Sequence, residues 1–401
     1  MHATPAARRA LIAAALGWML DAMDVLLYSF VLDEVRREFG IDDRLSGVLL
    51  ALPLAASAIG GILFGWLADR IGRTRALNAS ILVYAVATAG CGLATNVWQL
   101  AIARLVLGLG MGGEWATGAA LVAETWPAEH RGKAMGLMQS AWAIGYALAA
   151  AVNAVVLPRF GWRAVFLVGL VPALITLWIR RRVEESPLWL AGRNASRSPG
   201  RLRDVLRGPG ARTTWVLMAM NAATMFAWWG LFTWIPSFLA RPLELGGAGL
   251  SVVRSSTWIG VMQIGMWCGY VSFGIIADAI GRKKAYVGYL IVAAVLVPIY
   301  ATTRDVRWLL VLGPCLAFFG TGYFSGFGAV SAELFPTPLR ATAQGLTYNA
   351  GRALSALAPI IVGSLAAGIG LASAFLVTSV AFVVAAVLWI WIPETKGRAL
   401  L

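Results

Sequence analysis

The chain has 401 residues, 59% of them hydrophobic and only 13% charged, about half the roughly 25% charge of ordinary soluble domains. The apolar residues fall in blocks of about 20, the length that crosses a hydrocarbon core some 30 Å thick, which excludes a soluble multidomain protein and predicts a polytopic helical membrane protein. The net charge of +14 does not mark a nucleic-acid binder, because its basic residues lie in short segments between apolar blocks and form no stripe for phosphates.

Cys91, Cys268 and Cys315 are isolated within apolar blocks, and His2 and His130 are the only histidines. Neither a disulfide framework nor a metal site is expected, and no cofactor.

Cutting at charges and Gly/Pro clusters predicts twelve spans, starting near residues 10, 46, 76, 97, 132, 162, 213, 254, 285, 306, 341 and 371. The first follows Arg8 and Arg9, as a signal peptide would, but it lacks a small-residue cleavage site and carries Asp21 and Asp24, so it is expected to be retained. Charges at bilayer depth are functional candidates. Asp21 and Asp24 share one helix face, about 16 Å and 21 Å from the inner end. Arg104 in span 4 lies about 10 Å below the outer end, level with Asp24, and an Asp24–Arg104 pair is expected. Glu114 lies lower on the same span. Three carboxylates beside one guanidinium cannot all stay ionised in a low dielectric, so at least one should hold a proton, Asp21 first and Asp24 second.

Spans 5, 7 and 8 place Gln139, Asn221 and Gln263 at mid-membrane depth, either lining a cavity or bonding helices together. Trp228 and Trp229 in span 7 are expected in an interface belt or in packing rather than against a ligand. In span 11, Arg352 lies about 16 Å from the inner end, with Asn349 on the same face and Tyr348 beside it. A guanidinium fork suits a carboxylate, so this patch is a candidate anion site; the competing role is a gate pair with Asp21.

Residues 1–182 are expected to form an N-terminal six-helix bundle and 213–401 a C-terminal one. The polar stretch between them, 183–212, reads as a cytoplasmic linker. With a cytoplasmic N-terminus, 22 of the 33 basic residues fall inside, among them Arg8, Arg9, Arg70, Arg73, Arg75 and nine arginines from Arg180 to Arg212. Nine fall outside (Arg36, Arg37, Arg44, Arg159, Arg163, Arg241, Arg254, Arg304 and Arg307), while Arg104 and Arg352 lie within spans. The bias predicts both termini in the cytoplasm.

The halves repeat. GWLADRIGRTR from Gly65 recurs as GIIADAIGRKK from Gly274, and AETWPAEHRGKAMGL from Ala123 as AELFPTPLRATAQGL from Ala332, both at an offset of 274 − 65 = 332 − 123 = 209. This aligns Asp69 with Asp278, Arg73 with Arg282, Glu124 with Glu333 and Arg131 with Arg340. Two parallel six-span repeats are the architecture of an alternating-access transporter. Gly65 and Gly274 are expected to let helix backbones approach closely, and Asp69 and Asp278 to accept from a neighbouring helix N-terminus. The charges of both loops are candidate gate pairs.

GxxADRxGRxR between spans 2 and 3, RxxxGxGMGGE in span 4 and PETKG at Pro393–Gly397 resemble the major facilitator superfamily. LDAMD in span 1 and GWRAVFLVGLVP in span 6 look most like its sialate and lactate proton symporters, although the first-span signature often reads DGFD where this chain has DAMD. Span 5 lacks the Gly-Pro signature that the superfamily associates with antiporters. The resemblance implies an all-α major facilitator fold and a secondary transporter rather than an enzyme. It also implies a monomer in the plasma (inner) membrane, whose partners are a small-molecule substrate and the bilayer and whose coupling ion is the proton. A small organic anion such as sialate, lactate or an aromatic acid is the expected substrate. The alternative is a carrier of sugars or other neutral metabolites, suggested by ESPLW after span 6 and by PETKG, or a uniporter; a neutral substrate would leave Arg352 without a ligand.

Overall fold

A computed structural model describes residues 4–126, 128–186, 190, 206–207, 210–335 and 337–396. The first half consists of α1 (Pro5–Phe39), α2 (Asp43–Ile71), α3 (Arg73–Gly92), α4 (Val97–Thr125), α5 (Ala128–Val168) and α6 (Val171–Arg182). The second half consists of α7 (Ala211–Phe232), α8 (Ile235–Ala240), α9 (Val252–Ile280), α10 (Arg282–Thr302) and α11 (Val306–Thr321), then α12 (Phe327–Leu334), α13 (Thr337–Ser355), α14 (Leu357–Ile369), α15 (Leu371–Ala374) and α16 (Leu376–Leu388). Most of the expected linker, 183–212, lies outside the described residues.

Among the described residues, ten segments are long and apolar enough to cross a bilayer. One of them, Lys133–Leu174, has 42 residues, about twice what a 30 Å core needs. It breaks at Gly161, whose φ of 76° suits glycine, and so makes two crossings. The 20-residue α3, packed against α4, completes twelve. All twelve expected spans are present. The even number brings the first and last described residues, Thr4 and Lys396, to one side, here called the termini face.

Several spans are jointed where a proline withholds an N–H from the carbonyl four residues earlier. Pro53 frees the Leu49 carbonyl, which accepts from Arg104 Nε of α4 at 2.7 Å. Pro236 frees the Phe232 carbonyl, which accepts from Tyr146 Oη of α5 across the two halves at 2.7 Å. Pro298 frees the Ala294 carbonyl, which accepts from Ser379 Oγ of α16 at 2.6 Å. Each joint is thereby stitched to another helix rather than left with an unpaired polar group in a dry interior.

The close backbone approaches expected at Gly65 and Gly274 are not found: a Cβ at either position would meet nothing within 4 Å. Both glycines face open space, and the tight α2–α4 packing is made elsewhere, with Gly60 against Leu109, Gly108 against Pro53 and Gly112 against Ser57. Small residues permit approach only where the helix phase turns them toward a neighbour.

Candidate functional site

The two halves meet around a narrow central cavity of about 30 Å³. Trp18 of α1 and Gln139 and Trp142 of α5 form the wall from the first half. From the second half, α7 contributes Met225, Trp228 and Trp229, and the wall is completed by Tyr270, Phe324, Tyr348 and Arg352. Phe324 reaches it because α11 gives way to a 3₁₀ turn, Gly322–Gly326, at mid-span; broken helices at the repeat interface are where transporters build their sites. Arg352 is 3% exposed and lies just before the α13–α14 bend, where Pro359 cannot donate to the Ser355 carbonyl.

The acids lie beside this cavity. Asp21, Asp24 and Glu114 are fully buried. Among the described residues, both carboxylate oxygens of Asp21 and both of Glu114 have no hydrogen-bond partner. Glu114 crosses from α4 onto α1 at Gly17, where a Cβ would stand 2.5 Å from its Oε1. Arg352, from the other half, is the cation in electrostatic reach of both Asp21 and Glu114, although it forms a direct ion pair with neither. One guanidinium therefore borders the cavity on one side and two partnerless carboxylates on the other.

The expected Asp24–Arg104 pair is not made. Asp24 Oδ2 accepts from Thr88 Oγ1 of α3 at 3.0 Å. The Arg104 guanidinium lies 4.2 Å over the ring of Tyr28, one turn beyond Asp24, with its Nε on the Leu49 carbonyl. Counting rise along two helices places residues at one level but leaves the rotation undetermined, and here α4 turns Arg104 toward α2.

Of the three amides, Gln139 alone lines the cavity. Asn221 donates to the Thr347 carbonyl at 3.0 Å, joining α7 to α13. Gln263 donates to Ile259 of its own helix. Asn349 turns toward α2, its Oδ1 3.2 Å from where a Cβ on Gly61 would be. Tyr348 does face the cavity, stacked on Trp115 of the other half at 4.0 Å and 5°. Trp228 and Trp229, expected in a belt or in packing, are buried cavity-wall residues.

On the termini face, Arg73 Nη2 pairs with Glu124 at 3.1 Å and Arg282 Nη2 with Glu333 at 3.4 Å. The side chains of Asp69, Arg131 and Arg340 lie outside the described residues. Asp278 accepts from Arg282, one turn on along the chain, and not from a neighbouring helix N-terminus. That position is taken by glutamates the sequence analysis did not single out. Glu185 accepts from the N–H groups of Arg73 at 2.9 Å and Thr74 at 3.2 Å, and Glu394 from those of Arg282 at 2.9 Å and Lys283 at 3.1 Å. Each caps a helix whose own N-cap is a glycine, Gly72 or Gly281, with no side chain to offer. The signal was available, since 394 − 185 = 209 is the repeat offset.

The opposite face carries a second missed cluster. Arg241, after α8, grips Asp43 of α2 through two bonds of 2.6 and 2.9 Å and lies 3.3 Å from Asp33 of α1. Arg36 pairs with the same two aspartates at 3.1 and 3.2 Å, and Ser237 donates to Asp33 at 2.9 Å.

A family model for the Major Facilitator Superfamily matches residues 12–272 and 248–400. The chain belongs to that superfamily. It is 35% identical over 393 residues to the probable 4-methylmuconolactone transporter of Cupriavidus pinatubonensis, covering 96% of this chain and 90% of that one. To the sialic acid transporter NanX of Escherichia coli strain K12 it is 31% identical over 385 residues, covering 94% and 92%. Its fold matches the partially occluded, inward-open xylose transporter XylE of E. coli with a TM-score of 0.80, at 20% identity and over 99% of this chain and 100% of that one. This member of the Major Facilitator Superfamily is thus a multi-pass membrane transporter, not an enzyme. Its cavity sits where the two repeats meet, the position at which alternating access requires a substrate site.

Proposed function

We propose that this transporter carries a small organic anion together with protons into the cytoplasm. The observation that carries the reading is the shared position of Arg352, on the cavity wall and within electrostatic reach of Asp21 and Glu114. A substrate carboxylate takes the guanidinium through its planar fork. Arg352 then no longer offsets the charge of the acids, and a buried carboxylate that has lost its balancing cation takes up a proton. Substrate and proton therefore load together. Asp21 is the first carrier, next to Trp18 and Arg352, with Glu114 as its coupled partner and Asp24, held by Thr88, in reserve. Arg104 has no place in this exchange because its guanidinium is committed to Leu49 and Tyr28.

The organic-acid relatives support the anionic substrate. The 22-to-9 split of basic residues supports a plasma-membrane orientation with the termini face in the cytoplasm. In that orientation the Arg73–Glu124 and Arg282–Glu333 pairs and the Glu185 and Glu394 caps form the cytoplasmic gate, and Arg241 the external one. One chain supplies both walls of the cavity, which supports a monomer as the transporting unit.

Purified protein in liposomes tests this. Uptake of a substrate carboxylate should rise above equilibrium only when the outside is acidic, and Asp21→Asn should abolish that accumulation while keeping exchange of preloaded substrate. Equal accumulation with and without the gradient refutes proton coupling; wild-type accumulation by the variant moves the carrier to Glu114 or Asp24. Orientation is read separately, from single cysteines at position 196 and at the exposed position 245 in a cysteine-free background. Impermeant maleimide should label only 245 in whole cells.

A further inference from the structure

Thr88 of α3 is fully buried, and its one hydroxyl hydrogen has two acceptors within reach. Thr88 Oγ1 lies 3.0 Å from Asp24 Oδ2 of α1 and 2.9 Å from the Tyr84 carbonyl, one turn back along α3. A threonine bonded to the carbonyl four residues earlier is ordinary in a helix. A fully buried carboxyl on the same oxygen is not.

The basic residue at the level of Asp24 does not answer that carboxyl, since Arg104 is committed to Leu49 and Tyr28. Asp24 Oδ1 has no hydrogen-bond partner among the described residues. The ionisable groups near Asp24 are Asp21 on its own helix, with Arg352 beyond it, Tyr84 and Cys91 of α3 and, past Tyr84, Glu114 of α4. Tyr146 of α5, packed on α1 at Phe30, gives its hydrogen to the Phe232 carbonyl. α2, α6 and α8 have no ionisable residue over 45–68, 171–179 and 235–240.

The Thr88 hydroxyl suits both states of the acid. Ionised Asp24 accepts its hydrogen at Oδ2. When Oδ2 takes a proton, the new O–H donates to Thr88 Oγ1 and the threonine hydrogen turns to the Tyr84 carbonyl; release of the proton reverses both bonds. No heavy atom moves, and neither state leaves a buried donor unpaired. Packing holds the oxygen in place, because the Thr88 methyl abuts Gly169, where a Cβ would collide with Thr88 Cγ2.

We infer that Thr88 is a positioning residue for the coupling proton, its hydroxyl reversing between Asp24 and the Tyr84 carbonyl so that one carboxyl is held in place both charged and neutral. This rests on the proton-coupled reading above and adds Asp24 to the route. Asp24 lies three residues nearer the far face than Asp21, so a proton entering from that face meets it first.

Infrared difference spectra of the purified full chain in liposomes, titrated with pH in the absence of substrate, test this through the C=O band of protonated carboxyl groups. Asp24→Asn identifies the Asp24 component by its loss. Thr88→Val keeps the shape and the methyl against Gly169 but has no hydroxyl, whereas Thr88→Ser keeps the hydroxyl and lacks the methyl. Losing the donor costs the ionised form the stronger of the two bonds. In Thr88→Val the midpoint of the Asp24 component should therefore move to the alkaline side by about one pH unit, and Thr88→Ser should keep the wild-type midpoint. Thr88→Ala replaces Thr88→Val should that variant not fold. A packing role gives the opposite order, with Val like wild type and Ser shifted, and overturns the inference. So does an Asp24 component that does not titrate. Wild-type uptake that ignores the pH gradient, in the liposome assay above, overturns the proton-coupled reading and this inference with it.

Discussion

Arg104 of α4 donates its Nε–H to the Leu49 carbonyl of α2 at 2.7 Å, and that carbonyl is free because Pro53, four residues on, has no N–H to give it. A residue that looks like half of an intramembrane ion pair is instead bound to a helix joint. Its cation is offset by the face of Tyr28 at 4.2 Å rather than by a carboxylate.

The two positions should therefore be coupled in stability. Pro53→Ala returns an N–H to Leu49 and takes the acceptor from a buried guanidinium, and Arg104→Leu leaves the carbonyl unpaired. Each should destabilise by about 1–3 kcal/mol, and the double variant by less than the sum. Thermal unfolding of the four purified proteins in one detergent reads the cycle. Additive losses would show that the bond does not matter.

Arg241 should hold the face opposite the termini closed. Its contacts with Asp43 and Asp33 are mostly shielded, the Arg241 and Asp43 side chains being 8% and 9% exposed. Removing one partner of a largely desolvated pair is costly, about 3–5 kcal/mol when fully buried and less here. Arg241→Ala should shift the population toward an open far face. Spin labels at positions 44 and 244 should report longer distances in the variant, and an unchanged distribution would remove the gate assignment.

The cap at Glu394 should make the opposite gate sensitive to acid. Burial pushes the Glu394 carboxyl up, but the N–H groups of Lys396, Arg282, Lys283 and Thr395 outweigh it and hold the group below its ordinary 4.5. A lowered carboxylate stabilises the folded state fully above its unfolded value and loses that contribution as pH falls through the folded one. Glu394→Gln should cost about 1 kcal/mol or less at neutral pH, the scale of an N-cap on an exposed helix end. The gap in melting temperature between wild type and variant should close below about pH 4.5. A gap that persists in acid would assign the effect to packing.

Arg352→Lys should keep the charge and lose the fork. Affinity for the substrate carboxylate should fall by about 1.5–3 kcal/mol, the range of a charge-assisted hydrogen bond, with the fold retained. The corresponding amide should bind wild type and variant alike. If acid and amide compete equally in the wild type, the arginine is a gate partner of Asp21 and not the anion site.

The membrane class, the twelve crossings and the two-fold repeat are local properties, and the chain declares them. An apolar block of spanning length has no other stable place than a bilayer, and a constant offset of 209 in the paired loops leaves little room for another architecture. Arg352, Asp21 and Glu114 could be singled out for the same reason, since a charge at bilayer depth is conspicuous wherever its helix packs. What remained hidden depended on rotation and on which helices touch. Arg104 and Asp24 lie near one level yet face different neighbours, Gly65 and Gly274 face open space, and Asn221, Gln263 and Gln139 look equivalent until only Gln139 turns inward. The cavity wall is the clearest case. Trp18, Trp142, Trp228 and Trp229 come from three helices and two halves, and no local pattern brings them together; only the packing of one repeat against the other does.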